Sequence, residues 1–164
     1  PIGYQQTISQ PYIVARMTES LIEGDKMNEV PINHCLEIGT GCGYQTYILS
    51  LFSKKVTSVE RIEPLQDKAK ETLKNLGVRN VTFKIDDGNN LGRLKYDAIL
   101  SAAAPLSVPS TLKERLAVGG RLILPVGDSQ RQVLTLIHRI DNDSYEEKRL
   151  EDVLFVPLLK GIVS

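Results

Sequence analysis

The stretch LEIGTGCGY, Leu36 to Tyr44, decides the fold. It joins an apolar run, Ile32 to Ile38, which reads as a buried strand, to glycines at positions 39, 41 and 43. A glycine turn at that point lets backbone amides approach a ligand closely and opens a helix towards it. The spacing is G-x-G-x-G. A dinucleotide turn reads G-x-G-x-x-G, and Tyr44 stands where its third glycine would be. An ordinary tight strand-to-helix turn uses the same residue types, so the reading needs a second feature.

Glu60 supplies it. Lys55–Glu60 (KVTSVE) reads as the next short strand, one β-α-β unit after Glu37, and it ends in an acid. In nucleoside-binding α/β folds an acid at the end of the second strand accepts hydrogen bonds from both ribose hydroxyls. An NAD site uses the same acid, so Glu60 predicts a nucleoside without choosing the cofactor. The choice rests on the turn: G-x-G-x-G led by the acidic Glu37 resembles the signature of an S-adenosylmethionine (SAM) fold.

The rest of the chain fits one compact domain over residues 1–164. That length builds one substantial core and not comfortably two. Twenty basic and 20 acidic residues give zero formal net charge with no long block of either sign, which argues against nucleic acid held through its phosphates. No apolar run approaches the roughly 18 residues of a membrane span, and no signal-peptide pattern opens the chain. Cys35 and Cys42, the only cysteines, lack metal spacing and read as reduced thiols of a cytoplasmic protein. His34 and His138 lie far apart without clustered carboxylates, so no metal site is expected.

Helices are expected over Pro11–Leu21, Gly43–Phe52, Glu63–Leu76 and Pro109–Leu116. Further strands are expected at Val81–Ile85, at Tyr96–Ala102 and, after Gly119-Gly120, at Arg121–Val126. The pattern then changes: Gln132–Ile140 and Arg149–Val156 read as two strands joined only by the polar link DNDSYEEK. That predicts an antiparallel hairpin added to a parallel sheet. The expected class is α/β, a Rossmann-like SAM-dependent methyltransferase fold with helices on both faces.

The opening PIGYQQTISQPYIVARMTESL resembles the start of the catalytic domain of protein-L-isoaspartate O-methyltransferases, whose pattern is approximately P-I-G-x-G-Q-T-I-S-Q-P-Y-x-V-A-x-M-T. The resemblance continues through LEIGTGCGYQTYIL, SVERI (Ser58–Ile62), DDG (Asp86–Gly88), YDAILSAAAP (Tyr96–Pro105), GGRLILPVG (Gly119–Gly127) and FVPLLKG (Phe155–Gly161). It covers nearly the whole chain in order. The glycine motif is generic to methyltransferases, whereas TISQP together with PVG and FVPL is specific to this family.

The resemblance implies methyl transfer from SAM to the free α-carboxylate of L-isoaspartyl residues in damaged proteins and peptides, which initiates their repair. It makes Ser9 the active-site serine, with Thr7 beside it. It assigns Glu37, Gly39, Thr40 and Gly41 to the cofactor turn, Glu60 and Arg61 to the ribose, Asp87 and Gly88 to the adenine-side loop, and Leu159 to the C-terminal approach to the cofactor. Ala103, Pro125 and Val126 fall among the segments expected to shape the substrate site. Taken without the resemblance, Ser9 reads as a cap for the helix opening at Pro11.

Several residues depart from the pattern. Gln5 stands where Gly is common, Cys42 where Ser is common, Asp86 where GDG has its first Gly, and Leu154 where many bacterial members have Arg. Family members also carry a helical segment upstream of PIG, so the sequence is expected to lack that segment. Two other readings share the features of the turn: a SAM-dependent methyltransferase acting on a small molecule or RNA, and a SAM-binding protein without catalysis.

Overall fold

The computed structural model describes residues 1–22 and 30–164. Seven strands form one sheet, ordered β3-β2-β1-β4-β5-β6-β7. The strands are β1 (Ile32–Ile38), β2 (Ser53–Glu60), β3 (Val81–Ile85), β4 (Tyr96–Ser101), β5 (Leu116–Gly127), β6 (Gln132–Arg139) and β7 (Tyr145–Val153). The helices are α1 (Pro11–Ile22), α2 (Tyr44–Phe52), α3 (Glu63–Asn75) and α4 (Ser110–Glu114). β1 to β5 pair in parallel, and β5-β6 and β6-β7 are antiparallel. The expected class, a mostly parallel sheet closed by a C-terminal hairpin, is the one observed.

Burial follows from the sequence pattern. Leu36, Ile99, Leu100, Leu122, Ile123 and Leu124 are sealed in the central strands, because a parallel sheet covered on both faces leaves no wet side. α1 turns Val14, Met17 and Leu21 inward at helical spacing. α3 buries Leu65, Ala69 and Leu73, opens with Pro64 in its first turn and ends before Gly77, whose φ is +78°.

Two regions differ most from expectation. The helix expected over Pro109–Leu116 is only the five residues of α4, and β5 already begins at Leu116. Gly120 explains how Ala117–Gly120 joins a strand: a Cβ there would lie 2.8 Å from the Ala117 carbonyl oxygen and 3.1 Å from that of Asp97. Only glycine lets this stretch lie so close to β4. The hairpin link is also shorter than expected, because Tyr145–Lys148 of the polar link belongs to β7. β7 is the sheet edge, and its exposed Glu146, Glu147 and Lys148 suit an edge open to water.

The strand order reverses direction between β1 and β4, where the loops leaving their carboxyl ends part and open a crevice. Ala102 N–H donates to the Ile38 carbonyl at 2.8 Å and Gly39 N–H to the Val59 carbonyl at 2.8 Å. Those bonds set the glycine turn against the ends of β2 and β4.

Candidate active site

A cavity of about 430 Å³ opens at this crevice. One wall comes from the parallel half of the sheet: Gly39, Gly41, Glu60, Arg61, Asp86 and Asp87. A second wall is the segment before α1, Thr7, Ile8, Ser9 and Gln10, with Asp152 and Val153 ending β7 and Leu154 and Phe155 after it; Val156 to Leu158 line the cavity as the chain runs on. Ala103 and Leu159 also line it.

The glycines act through backbone geometry. Gly39 has φ +96°, Gly41 +56° and Gly43 +88°, values that L side chains rarely adopt. A Cβ on Gly39 would also lie 3.3 Å from the Ala102 Cβ. Gly43 is the left-handed N-cap of α2 and has no side chain to cap it.

Glu60 is buried, and its carboxylate already works on the protein. Gly41 N–H donates to Oε2 at 3.0 Å; Arg61 N–H and Ile62 N–H donate to Oε1 at 3.0 and 3.1 Å. A carboxylate has about four acceptor positions, so roughly one is left for a ligand on this count. Asp87 accepts from Gly161 N–H at 2.8 Å and Asn89 N–H at 3.1 Å. The amide of Gly161 holds its carboxyl below the usual range. Arg61 donates from Nε to the Gly161 carbonyl at 2.9 Å. Both residues therefore tie the C-terminal segment to the rim. Asp86, one of the departures, turns Oδ1 back onto Gly88 N–H (2.7 Å) and Asn90 N–H (3.3 Å), so its added charge organises its own loop.

Glu37 does not line the cavity. It is fully buried beneath the turn, accepts from Thr46 Oγ1, and accepts from Ser58 Oγ at 2.5 Å. Its Oε2 has no partner among the described residues. Burial raises its pKa from 4.5 to about 8, against the lowering effect of the Ser58 and Thr46 hydroxyls, so it is neutral at pH 7. Ser58 in turn shares a 2.6 Å hydrogen bond with Thr40, which Gln66 Nε2 also approaches at 3.4 Å. Glu37 and Thr40, both expected at the cofactor, lie off the cavity lining and shore up the turn from behind. The strand period is the reason, since Glu37 points inward where the strand is covered on both faces.

Three other expected residues also lie off the cavity lining. Gly88 shapes the Asp87 loop with φ +85°. Pro125 is buried and Val126 half-buried within β5, paired to Leu134 and Val133 of β6. Ladder pairing, which the sequence does not display, holds them away from the crevice.

Thr7, Ser9 and Ala103 line the cavity. The Ser9 hydroxyl makes no hydrogen bond among the described residues. Val14 N–H donates to the Gln10 carbonyl at 3.1 Å, so Gln10 occupies the position of the helix cap. Gln5 explains why glycine suits its place: Tyr4 and Gln5 have φ of +52° and +58°. Leu154 is 69% exposed at the cavity mouth. No cluster of metal ligands occurs among the described residues. No described helix is long and apolar enough to cross a membrane.

The sheet order, the glycine turn after β1 and the acid ending β2 define the Rossmann-like SAM-dependent methyltransferase class. Solved structures agree on the fold: an O-methyltransferase from Thermotoga maritima superposes with a TM-score of 0.61 at 19% identity, over 77% of this chain and 48% of its own. The chain belongs to the protein-L-isoaspartate(D-aspartate) O-methyltransferase family, whose model matches residues 1–162. A protein-L-isoaspartate O-methyltransferase of Saccharophagus degradans is 52% identical over 99% of this chain and 72% of its own length. One from Burkholderia cenocepacia is 48% identical over 99% of this chain and 52% of its own. A Plasmodium falciparum protein-L-isoaspartate O-methyltransferase, solved with S-adenosyl-L-homocysteine, superposes with a TM-score of 0.76 at 26% identity, over 98% of this chain and 79% of that one.

Proposed function

We propose that this chain, as one domain over residues 1–164, transfers the methyl group of SAM to the α-carboxylate of L-isoaspartyl residues in proteins and peptides. The observation that carries the reading is the pairing, in one cavity, of a glycine-and-carboxylate wall with the segment Thr7–Ser9, which brings two neutral hydroxyls. The first wall fits a nucleoside bearing a cationic sulfonium. Its glycine cradle leaves the room a Cβ would fill, and Glu60 keeps an acceptor position for a ribose. Gly39, Gly41, Glu60, Arg61, Asp87 and Leu159 are the residues proposed to hold the cofactor, with Glu37, Thr40 and Gly88 behind them.

SAM, when bound, supplies a methyl group already activated by its sulfonium charge. The acceptor carboxylate is ionised at neutral pH, so the protein has no proton to remove. What remains is alignment of an in-line displacement. Ser9 is assigned the role of donating its hydroxyl, which has no partner among the described residues, to one carboxylate oxygen, leaving the other to attack. A neutral donor orients the nucleophile without tying up its charge, as a lysine or arginine would. Thr7 and Ala103 shape the same wall.

The test is single-turnover methylation of an isoaspartyl peptide and of its aspartyl twin. The isoaspartyl form should react, the aspartyl form poorly, and the rate should stay nearly flat from about pH 6 to about pH 8, because carboxyl groups titrate near pH 4. Equal methylation of both would refute repair specificity. A steep rise near neutrality would indicate an amine or hydroxyl acceptor needing a base.

A further inference from the structure

β7 ends at Val153, which pairs with Gln132, the first residue of β6. The chain then leaves the sheet edge and crosses to β4, lining the cavity from Leu154 to Leu159 on the way. At the far end it is tied by backbone: Ala104 N–H donates to the Val156 carbonyl at 2.8 Å, and Leu158 N–H to the Ala104 carbonyl at 2.9 Å. At the near end β6 offers no further residue to pair with Phe155. The side chain of Gln132 takes that place. Phe155 N–H donates to its Oε1 at 2.6 Å, and its Nε2 donates to the Phe155 carbonyl at 2.9 Å and the Asp128 carbonyl at 3.0 Å. Gln132 is 2% exposed, so water does not substitute for these bonds. Two carbonyls facing the amide nitrogen and one N–H facing its oxygen fix which way the amide points.

We propose that Gln132 is a positioning residue for the methyl acceptor: its amide extends the β6-β7 ladder by one rung and sets where Leu154 and Phe155 stand in the cavity that Ser9 also lines. The assignment rests on the function proposed above. The end of β7 and Phe155 after it pack with α1, the helix that follows Ser9. Tyr12 and Arg16 of α1 both donate to Glu151 at 3.2 Å, and Ile13, Val153 and Phe155 pack against the same core cluster. The cofactor end, Val156 to Leu158, keeps its own anchor at Ala104. Loss of the Gln132 amide should therefore disturb the peptide and spare the cofactor.

Q132L and Q132E test this with an isoaspartyl peptide, alongside calorimetry with S-adenosyl-L-homocysteine. Q132L should raise the peptide KM about tenfold, the cost of one to two hydrogen bonds, and leave the S-adenosyl-L-homocysteine Kd within about twofold. In Q132E an ionised carboxylate would face two carbonyl oxygens, and only its protonated form can donate to one of them while its other oxygen still accepts from Phe155 N–H. Its peptide KM should fall towards the wild-type value between about pH 8 and about pH 6, with the wild-type KM nearly constant. Peptide KM values within twofold of wild type for both variants would overturn the proposal. So would KM and Kd rising together with no dependence on pH. If Q132L does not fold, the pH dependence of Q132E decides alone, and a flat ratio to wild type overturns it. A wild-type protein that binds S-adenosyl-L-homocysteine but leaves the peptide unmethylated refutes the functional reading, and this assignment with it. An active wild type with indifferent variants refutes this assignment only.

Discussion

The two walls of the cavity are built by opposite means. On the cofactor side, Glu60, Asp86 and Asp87 are each held by backbone N–H groups, and the turn above them is braced through Ser58 and Thr40 by the buried Glu37. On the acceptor side, Ile8 and Leu154 are half or more exposed and the Ser9 hydroxyl has no partner among the described residues. Fixed negative charge suits a cationic cofactor that returns to one pose each cycle. A carboxylate acceptor on varied peptides is better met by the neutral residues Thr7 to Gln10 than by a fixed carboxylate, which would repel it; Asp152 is the one acid of the lining on this side.

The largest effect should come from beneath the cofactor wall. With Glu37 neutral in the folded protein up to about pH 8 and ionised above about 4.5 when unfolded, the folded state binds the extra proton between those values. Stability should therefore fall as pH rises through that window, by about 1.4 kcal/mol per pH unit at most. Glu37→Gln should flatten the slope, as urea unfolding at several pH values will show. An unchanged slope would mean that Glu37 is not the group responsible.

Glu60→Ala comes next. It removes the ribose acceptor and strands three backbone amides. SAM affinity should drop about tenfold or more, and the unliganded protein should lose about 2 kcal/mol or more. Calorimetry and denaturant unfolding read the two separately. A loss of affinity without a loss of stability would show that the amides re-pair with water.

Ser9→Ala should give the reverse profile on the other wall. Turnover on the isoaspartyl peptide should fall about tenfold, with SAM affinity and unfolding nearly unchanged, because the hydroxyl caps no helix. A stability loss of about 1 kcal/mol with normal single-turnover rates would return Ser9 to a capping role.

The smallest effect concerns the approach to the acceptor wall. Gln5→Gly relieves a left-handed residue and adds backbone entropy to the unfolded chain, so a gain of about 1 kcal/mol or less is expected in thermal unfolding. A loss would show that the Gln5 side chain contributes contacts that outweigh its strained backbone.

Much of this molecule is determined by the sequence alone. Apolar runs bounded by turns gave β1 and β3 their exact limits and most other elements theirs to within a few residues, because periodicity and glycine punctuation are local signals. The hairpin was legible as two strands without a helix between them. The failures were non-local. β5 reached back to Leu116 because that residue pairs with Tyr96 of β4 across a register shift, and Tyr145–Lys148 joined β7 because β6 pairs with them. The site divides in the same way. The glycines, Glu60, Asp87, Thr7 and Ser9 belong to short motifs and could be named from them. Tertiary structure alone placed Glu37 and Thr40 under the turn, kept Pro125 and Val126 within the ladder, and joined Gln132 to Phe155 across a strand end. A residue type says which hydrogen bonds a side chain can make. Only the packing of distant segments decides which partners come within reach.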